Sequence, residues 1–266
     1  MAKYLTEFIG TFFLVLTIGL TVCQGVAMAP LAIGCALMIM VYMGGHISGA
    51  HYNPAVSLAA MIRGAMSPVD LIPYWISQVL GSLAAAAAVA FIFGGIGGGA
   101  MDTETGETSS EPTAMVQVDQ AYVSTAIVAH DDEPTKPDAF FGPAPGEGFS
   151  LTHPAPWLIE ILFTFALALV VLNVATSSGT AGNSYYGLAI GFTVVVGAFA
   201  GGAISGGAFN PAVGIGPNVI KGTLGGDPAA MGNLVLHTAG PFIGGVLAAI
   251  VFKIQESFVD SKAAAA

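Results

Sequence analysis

Charge is what this chain has least of. Only 8% of its 266 residues are charged, against roughly a quarter in soluble domains. Six basic residues, scattered over the whole length, form no patch that would hold nucleic acid. Cysteine is nearly absent: Cys23 and Cys35 fit no metal-ligand spacing and read as packing residues. No metal site and no cofactor is expected. The spans offer no convergent nucleophile, base and metal ligands, which argues against an enzyme. The glycine run at 94–99 is not followed by Lys-Ser or Lys-Thr, so it is no phosphate loop.

What fills the space is apolar. Hydrophobic residues make up 55% of the chain, and the mean hydropathy is +0.79. A membrane-spanning helix needs about 20 mostly apolar residues. Six such runs occur, near 4–22, 30–45, 71–93, 157–176, 185–202 and 234–252. The first has no small-residue cleavage site behind it and is expected to be retained as a span. The fold class is therefore an all-α membrane protein. Two further apolar stretches, 53–62 and 210–219, are only half as long as a span.

Both short stretches begin the same way. Ile47-Ser48-Gly49-Ala50-His51-Tyr52-Asn53-Pro54-Ala55-Val56 is echoed by Ile204-Ser205-Gly206-Gly207-Ala208-Phe209-Asn210-Pro211-Ala212-Val213. Asn is a good helix cap and Pro suits the first helical position, so each motif reads as a helix start. The echo extends further. Glu7-x-x-x-Thr11 matches Glu160-x-x-x-Thr164, and Leu31-Ala32-Ile33-Gly34 matches Leu188-Ala189-Ile190-Gly191 at the 157-residue offset of the Asn pair. Gln78-x-x-Gly81-Ser82 pairs with Pro241-x-x-Gly244-Gly245. The chain thus divides into a first repeat at 1–93, an insertion at 94–156 and a second repeat at 157–266. Three full spans per repeat is an odd number, so the copies must be inverted. In inverted repeats, broken helices meet near the bilayer midplane and line a cavity, where irregular backbone is tolerated.

The insertion holds ten acids against one base, Lys136, which accounts for minus nine of the formal net charge of minus ten. Lys3, Arg63, Lys253 and Lys262 fall on one side if both termini face the cytoplasm of a plasma (inner) membrane, leaving residues 94–156 outside. Residues 114–119 and 122–129, rich in Val, Ile and Tyr, are expected to be able to pair as a short β-hairpin.

The paired Asn-Pro-Ala boxes, the paired Glu-x-x-x-Thr motifs and the order of spans resemble the aquaporin and glycerol facilitator family, the major intrinsic proteins. The likeness covers about 4–93 and 157–253. It implies six transmembrane helices plus two re-entrant half-helices in an inverted tandem repeat, one pore per subunit and a homotetramer in the lipid bilayer. It further implies passive passage of water and small neutral solutes, with ions and protons repelled at the half-helix N-termini. Asn53, Pro54, Ala55 and Asn210, Pro211, Ala212 would form the pore motifs. The family's filter positions fall on Ile33, Ala198, Gly207 and Val213. Where many members carry an arginine this chain has Val213, as tonoplast-type members do, and the filter lacks aromatic, histidine and arginine alike. Gly214 replaces the aspartate of typical glycerol facilitators. His237-Thr238 replaces two aromatics of water-selective members. The expected solutes are therefore water, urea, ammonia and hydrogen peroxide, with glycerol next.

His51, His46, Gly206 and Ala208 are candidates to line the pore. Glu7 and Glu160 are expected to be structural, binding the backbone of the Asn loops as in the family. His237 is expected near the outer mouth. Competing readings are a strictly water-selective channel gated or covered by the acidic insertion, a proton-coupled transporter using Glu7 and Glu160, and an impermeable junction protein.

Overall fold

Proline punctuates the chain where the helices begin. A computed structural model describes residues 1–94 and 139–265. The helices are α1 (Ala2–Cys23), α2 (Ala29–Ser48), α3 (Pro54–Arg63), α4 (Pro68–Ile92), α5 (Pro154–Thr176), α6 (Tyr186–Ser205), α7 (Pro211–Thr223), α8 (Ala229–Gly232) and α9 (Leu234–Ala265). Five of them, α2, α3, α4, α5 and α7, carry Pro in the first turn, where a missing N–H costs no hydrogen bond. Six helical segments are long and apolar enough to cross a membrane, the last of them Ala229–Phe258. Among the described residues there is no strand. The possible hairpin at 114–119 and 122–129 lies outside the described residues.

Helix ends differ from the apolar runs where polarity and helicity part company. The third span starts at Pro68, ahead of its apolar run, with Ser67 at the cap position and Asp70 in the first turn, where an acid is favoured by the helix dipole. The second short helix continues through Pro217 to Thr223. The last helix runs beyond the apolar stretch to Ala265.

The repeats pack as inverted mates. Helix α1 packs along α4 in the first half as α5 packs along α9 in the second, and α2 meets α6 between the halves. That central crossing depends on two glycines. A Cβ on Gly34 would lie 2.6 Å from the Gly191 carbonyl oxygen, and one on Gly191 would lie 2.4 Å from that of Gly34. Only hydrogen fits at either place, which lets the two backbones touch.

The last part of the insertion belongs to the bundle. The Gly146 N–H donates to the Ile204 carbonyl at 3.2 Å, Asn218 Nδ2 donates to the Pro143 carbonyl at 3.1 Å, and Phe141 is buried. At the opposite end, Arg63 donates to Glu256 Oε1 at 2.8 Å and to the Thr176 carbonyl at 3.0 Å. These bonds tie the foot of α3 to α5 and α9.

Candidate functional site

Two loops, 49–53 and 206–210, carry the site, and each is folded around one carboxylate. Glu7, fully buried on α1, accepts from Ser48 Oγ at 2.7 Å and the His51 N–H at 3.0 Å through Oε1. Its Oε2 accepts from the Tyr52 N–H at 2.7 Å and from Gln78 Nε2 at 2.8 Å. Glu160, fully buried on α5, repeats three of these bonds. It accepts from Ser205 Oγ at 2.7 Å, the Ala208 N–H at 3.0 Å and the Phe209 N–H at 2.7 Å. Loop backbone N–H groups thus find ionic partners instead of lipid, which a bilayer requires of irregular chain.

The carboxylates hold an unusual backbone. Ala50, Tyr52 and Phe209 adopt φ of 52°, 48° and 48°, and Gly207, the mate of Ala50, adopts 63°. These left-handed turns bring Asn53 and Asn210 to the first turns of α3 and α7. Asn53 Oδ1 accepts from the Ala55 N–H at 2.9 Å, and Asn210 Oδ1 accepts from the Ala212 N–H at 2.9 Å. The amides then cross between halves: Asn53 Nδ2 donates to the Phe209 carbonyl at 2.9 Å and Asn210 Nδ2 to the Tyr52 carbonyl at 2.8 Å. One N–H of each amide is used there. The second makes no hydrogen bond among the described residues.

Two cavities lie beside the amides and adjoin. The larger cavity, about 810 Å³, opens at the end of the bundle that holds Arg63, Asp70 and Glu256. A second, about 540 Å³, lies on the side of the Phe141 to Ala144 segment. Both are bordered by His51, Val171 and Ile190, so they adjoin at that level. The second cavity is lined by Asn53, Asn210, Ile33, Ala198, Gly206, Gly207, Ala208 and Val213, with Leu14, Leu37, Val56, Leu167 and Val194 on its aliphatic side. Among the described residues, no Asp, Glu, Lys or Arg lines it.

The profile of the family described as Major intrinsic protein matches residues 1–252. The chain belongs to the major intrinsic protein family. It is similar to the Glycerol uptake facilitator protein-like 6 of Lactiplantibacillus plantarum, with 31% identity over 260 residues that cover 97% of this chain and 99% of the relative. It is similar to Aquaporin NIP1-3 of Oryza sativa subsp. japonica, with 33% identity over 263 residues, 95% of this chain and 73% of the relative. Among solved structures, the aquaglyceroporin from Plasmodium falciparum superposes with a TM-score of 0.69 over 94% of each chain at 18% identity, a likeness of fold. This major intrinsic protein is thus an integral membrane channel protein of a family whose business is passive transport.

Several side chains of the channel carry weight that no motif announced. His46, a candidate to line the pore, is instead exposed at the end of α2 and borders neither cavity. His51 does border both, with Nδ1 3.1 Å from Ser57 Oγ. His237, expected near the outer mouth, is fully buried behind the second loop, with Nε2 2.7 Å from the Ser205 carbonyl oxygen. Tyr74 donates to the Ser48 carbonyl at 2.7 Å and Trp75 to the Pro54 carbonyl at 3.0 Å. Ser82 donates to the Ala212 carbonyl at 2.6 Å, joining α4 to the opposite half-helix. Phe141, Gly142, Pro143 and Ala144 border the second cavity although they belong to the acidic insertion by sequence. The only local sign of this is the apolar pair Phe140-Phe141 ahead of Gly142, Pro143, Pro145 and Gly146.

Proposed function

We propose that this protein passes water and small neutral solutes, namely urea, ammonia, hydrogen peroxide and glycerol, through a wide apolar filter made by Ile33, Ala198, Gly207 and Val213. One observation carries the reading: among the described residues, the wall of the cavity that holds both Asn amides has no charged side chain, and Val213 stands there in place of a cation. A solute that sheds water against aliphatic side chains regains hydrogen bonds only from the Asn53 and Asn210 amides and the carbonyls of the two loops. That one-sided polar track suits small molecules that are neutral and polar.

Ions meet a barrier at the same place. Each half-helix N-terminus carries roughly half a positive charge. At about 4 Å and an effective dielectric near 20, each repels a monovalent cation by about 2 kcal/mol, before lost hydration is counted. Aquaporin-type pores are themselves an instance of exclusion by half-helix dipoles. Glu7 and Glu160 stand outside both cavity walls with their oxygens engaged by loop donors, which favours a channel over a proton-coupled carrier. We place both termini in the cytoplasm of a plasma (inner) membrane, because Lys3, Arg63 and Lys253 lie toward the Arg63 end, and we take the assembly to be a homotetramer.

The test is stopped-flow volume change of proteoliposomes, wild type beside Val213→Arg, under gradients of an impermeant osmolyte, urea, glycerol and ammonia. Wild type is expected to pass water and at least one larger solute, and the arginine variant to lose the larger solute most. Passage of water alone would move the constriction to the Phe141 to Ala144 segment and support the strictly water-selective reading, with the insertion as cover.

A further inference from the structure

The two halves support their pore loops alike except at two places. In the first half, the Tyr74 hydroxyl of α4 donates to the carbonyl of Ser48, the last residue of α2, at 2.7 Å. At the matching place in the second half stands His237 of α9, and its Nε2 lies 2.7 Å from the carbonyl oxygen of Ser205, the last residue of α6. The bond is conserved between halves while its chemistry changes. A phenol keeps its proton through the neutral range, whereas an imidazole titrates within it.

The second ring nitrogen decides the charge. Nδ1 of His237 lies 3.1 Å from the Asn233 carbonyl oxygen. Carbonyl oxygens only accept, and a neutral imidazole carries one N–H, so a neutral ring would press a nitrogen lone pair against an oxygen lone pair in a fully buried place. An imidazolium donates to both. A carboxylate stands where it can supply the counter-charge: Glu160 Oε1 is 3.8 Å from Nε2, and both side chains are 0% exposed. Glu160 also lacks something that Glu7 has. Gln78 gives Glu7 an amide donor, but the residue paired with it in the second half is Pro241, which has none. A charged His237 makes up that difference at Glu160.

The surroundings isolate this pair. Among the described residues, the ionisable side chain facing the ring is Glu160 of α5. Helix α7 presents Gly214, where a Cβ would lie 2.5 Å from that of His237, and the end of α6 presents backbone. Lys221 and Asp227 pair with each other at 3.7 Å, and Arg63 and Glu256 at 2.8 Å.

We infer that His237 is held as an imidazolium against Glu160 and is the positioning residue of the loop from Gly206 to Asn210, so that losing its proton loosens that loop and alters permeation. The effect on permeation rests on the reading of this loop as pore wall; the protonation state does not.

The two parts are measured separately. Protein labelled with nitrogen-15 in histidine is reconstituted in liposomes and its ring nitrogens followed by solid-state NMR from about pH 5 to 8 and above. His237 is assigned as the signal lost in His237→Tyr or, should that variant not fold, in His237→Gln. Two protonated ring nitrogens at neutral pH, with loss of one N–H on raising the pH, are expected. A single N–H at neutral pH overturns the assignment. Urea and water permeabilities of the same liposomes are then compared over that range. The wild-type ratio is expected to change in step with the lost N–H, and His237→Tyr, which restores the phenol of the first half, to be flat. A ratio that ignores the titration, or an unchanged profile in His237→Tyr, overturns the positioning role while leaving the protonation result intact.

Discussion

Glu7 illustrates how a buried carboxylate can hold a loop inside a membrane bundle. Its four donors come from a hydroxyl, an amide and two backbone N–H groups, and the latter have no other acceptor in the turn they occupy. Removing the carboxylate strands them. An unsatisfied buried donor costs about 1–3 kcal/mol, so Glu7→Ala should lose roughly 2–6 kcal/mol for the His51 and Tyr52 N–H groups alone. Glu7→Gln keeps one oxygen and should lose less. We expect the melting temperature of the purified protein and its water permeability to fall in the order wild type, Glu7→Gln, Glu7→Ala. A fully stable Glu7→Ala with unchanged water flux would show that the loop does not depend on this residue. Uphill solute uptake abolished by Glu7→Gln would revive the carrier. Gly214 makes a related point about solutes. The aspartate that the resemblance to glycerol facilitators would place there has no room, because the Cβ and backbone oxygen of His237 lie 2.5 and 2.8 Å from where its own Cβ would be.

At the level of elements, the crossing of α2 and α6 is the place where the bundle has least room. Gly34 and Gly191 face each other's carbonyl oxygens, and Val195 lies 2.3 Å from a Cβ built on Gly34. Backbone oxygen cannot rotate away as a side chain can, so Gly34→Ala must push the helices apart. Overpacking of this kind costs about 1–3 kcal/mol. We expect Gly34→Ala to lower the melting temperature and Gly45→Ala to leave it nearly unchanged, since Tyr186 is 3.4 Å from the Cβ of the latter. Equal effects would mean that the crossing is not the tight point. Elements were also where the sequence was most legible. Six apolar runs and two capped half-runs correspond to helices, because a bilayer demands length and apolarity together. Their ends were legible at Thr176 and Leu234, where polarity and helicity change together, and at Pro54 and Pro211, where a proline follows the capping Asn. The start at Pro68 escaped because Asp70 interrupts the apolar run, and α9 outlasts its apolar stretch because helix propensity does not require apolarity. Phe141 to Ala144 escaped for the opposite reason: a segment rich in glycine, proline and acid reads as surface, and its burial depends on contacts with Gly19 and Asn218 that no local pattern encodes.

The whole molecule is two copies of one device pointed at each other, and its selectivity depends on what the copies share and on where they differ. The Asn loops could be paired from sequence because repetition is visible in a single chain. The pairing of Tyr74 with His237 was not, since the two side chains have nothing in common except the carbonyl they hold. The shared part bears on ions. With Val213 at the proposed filter and, among the described residues, no charged side chain in the wall of that cavity, the proposed barrier assigns the fixed positive field there to the N-termini of α3 and α7. Together they amount to roughly one positive charge, so a single carboxylate placed between them should cancel it. Asn210→Asp does this with little change of shape. The acid still accepts from the Ala212 N–H, while the donor to the Tyr52 carbonyl is replaced by negative charge. In planar bilayers or potassium-loaded vesicles, wild type is expected to pass no cation current, and Asn210→Asp to pass a measurable one while still conducting water. If the variant stays silent to cations, the barrier is the loss of hydration between Leu14, Val56, Leu167 and Val213, and the dipoles are secondary. If wild type itself conducts, neither term suffices without the arginine, and the proposed restriction to neutral solutes fails.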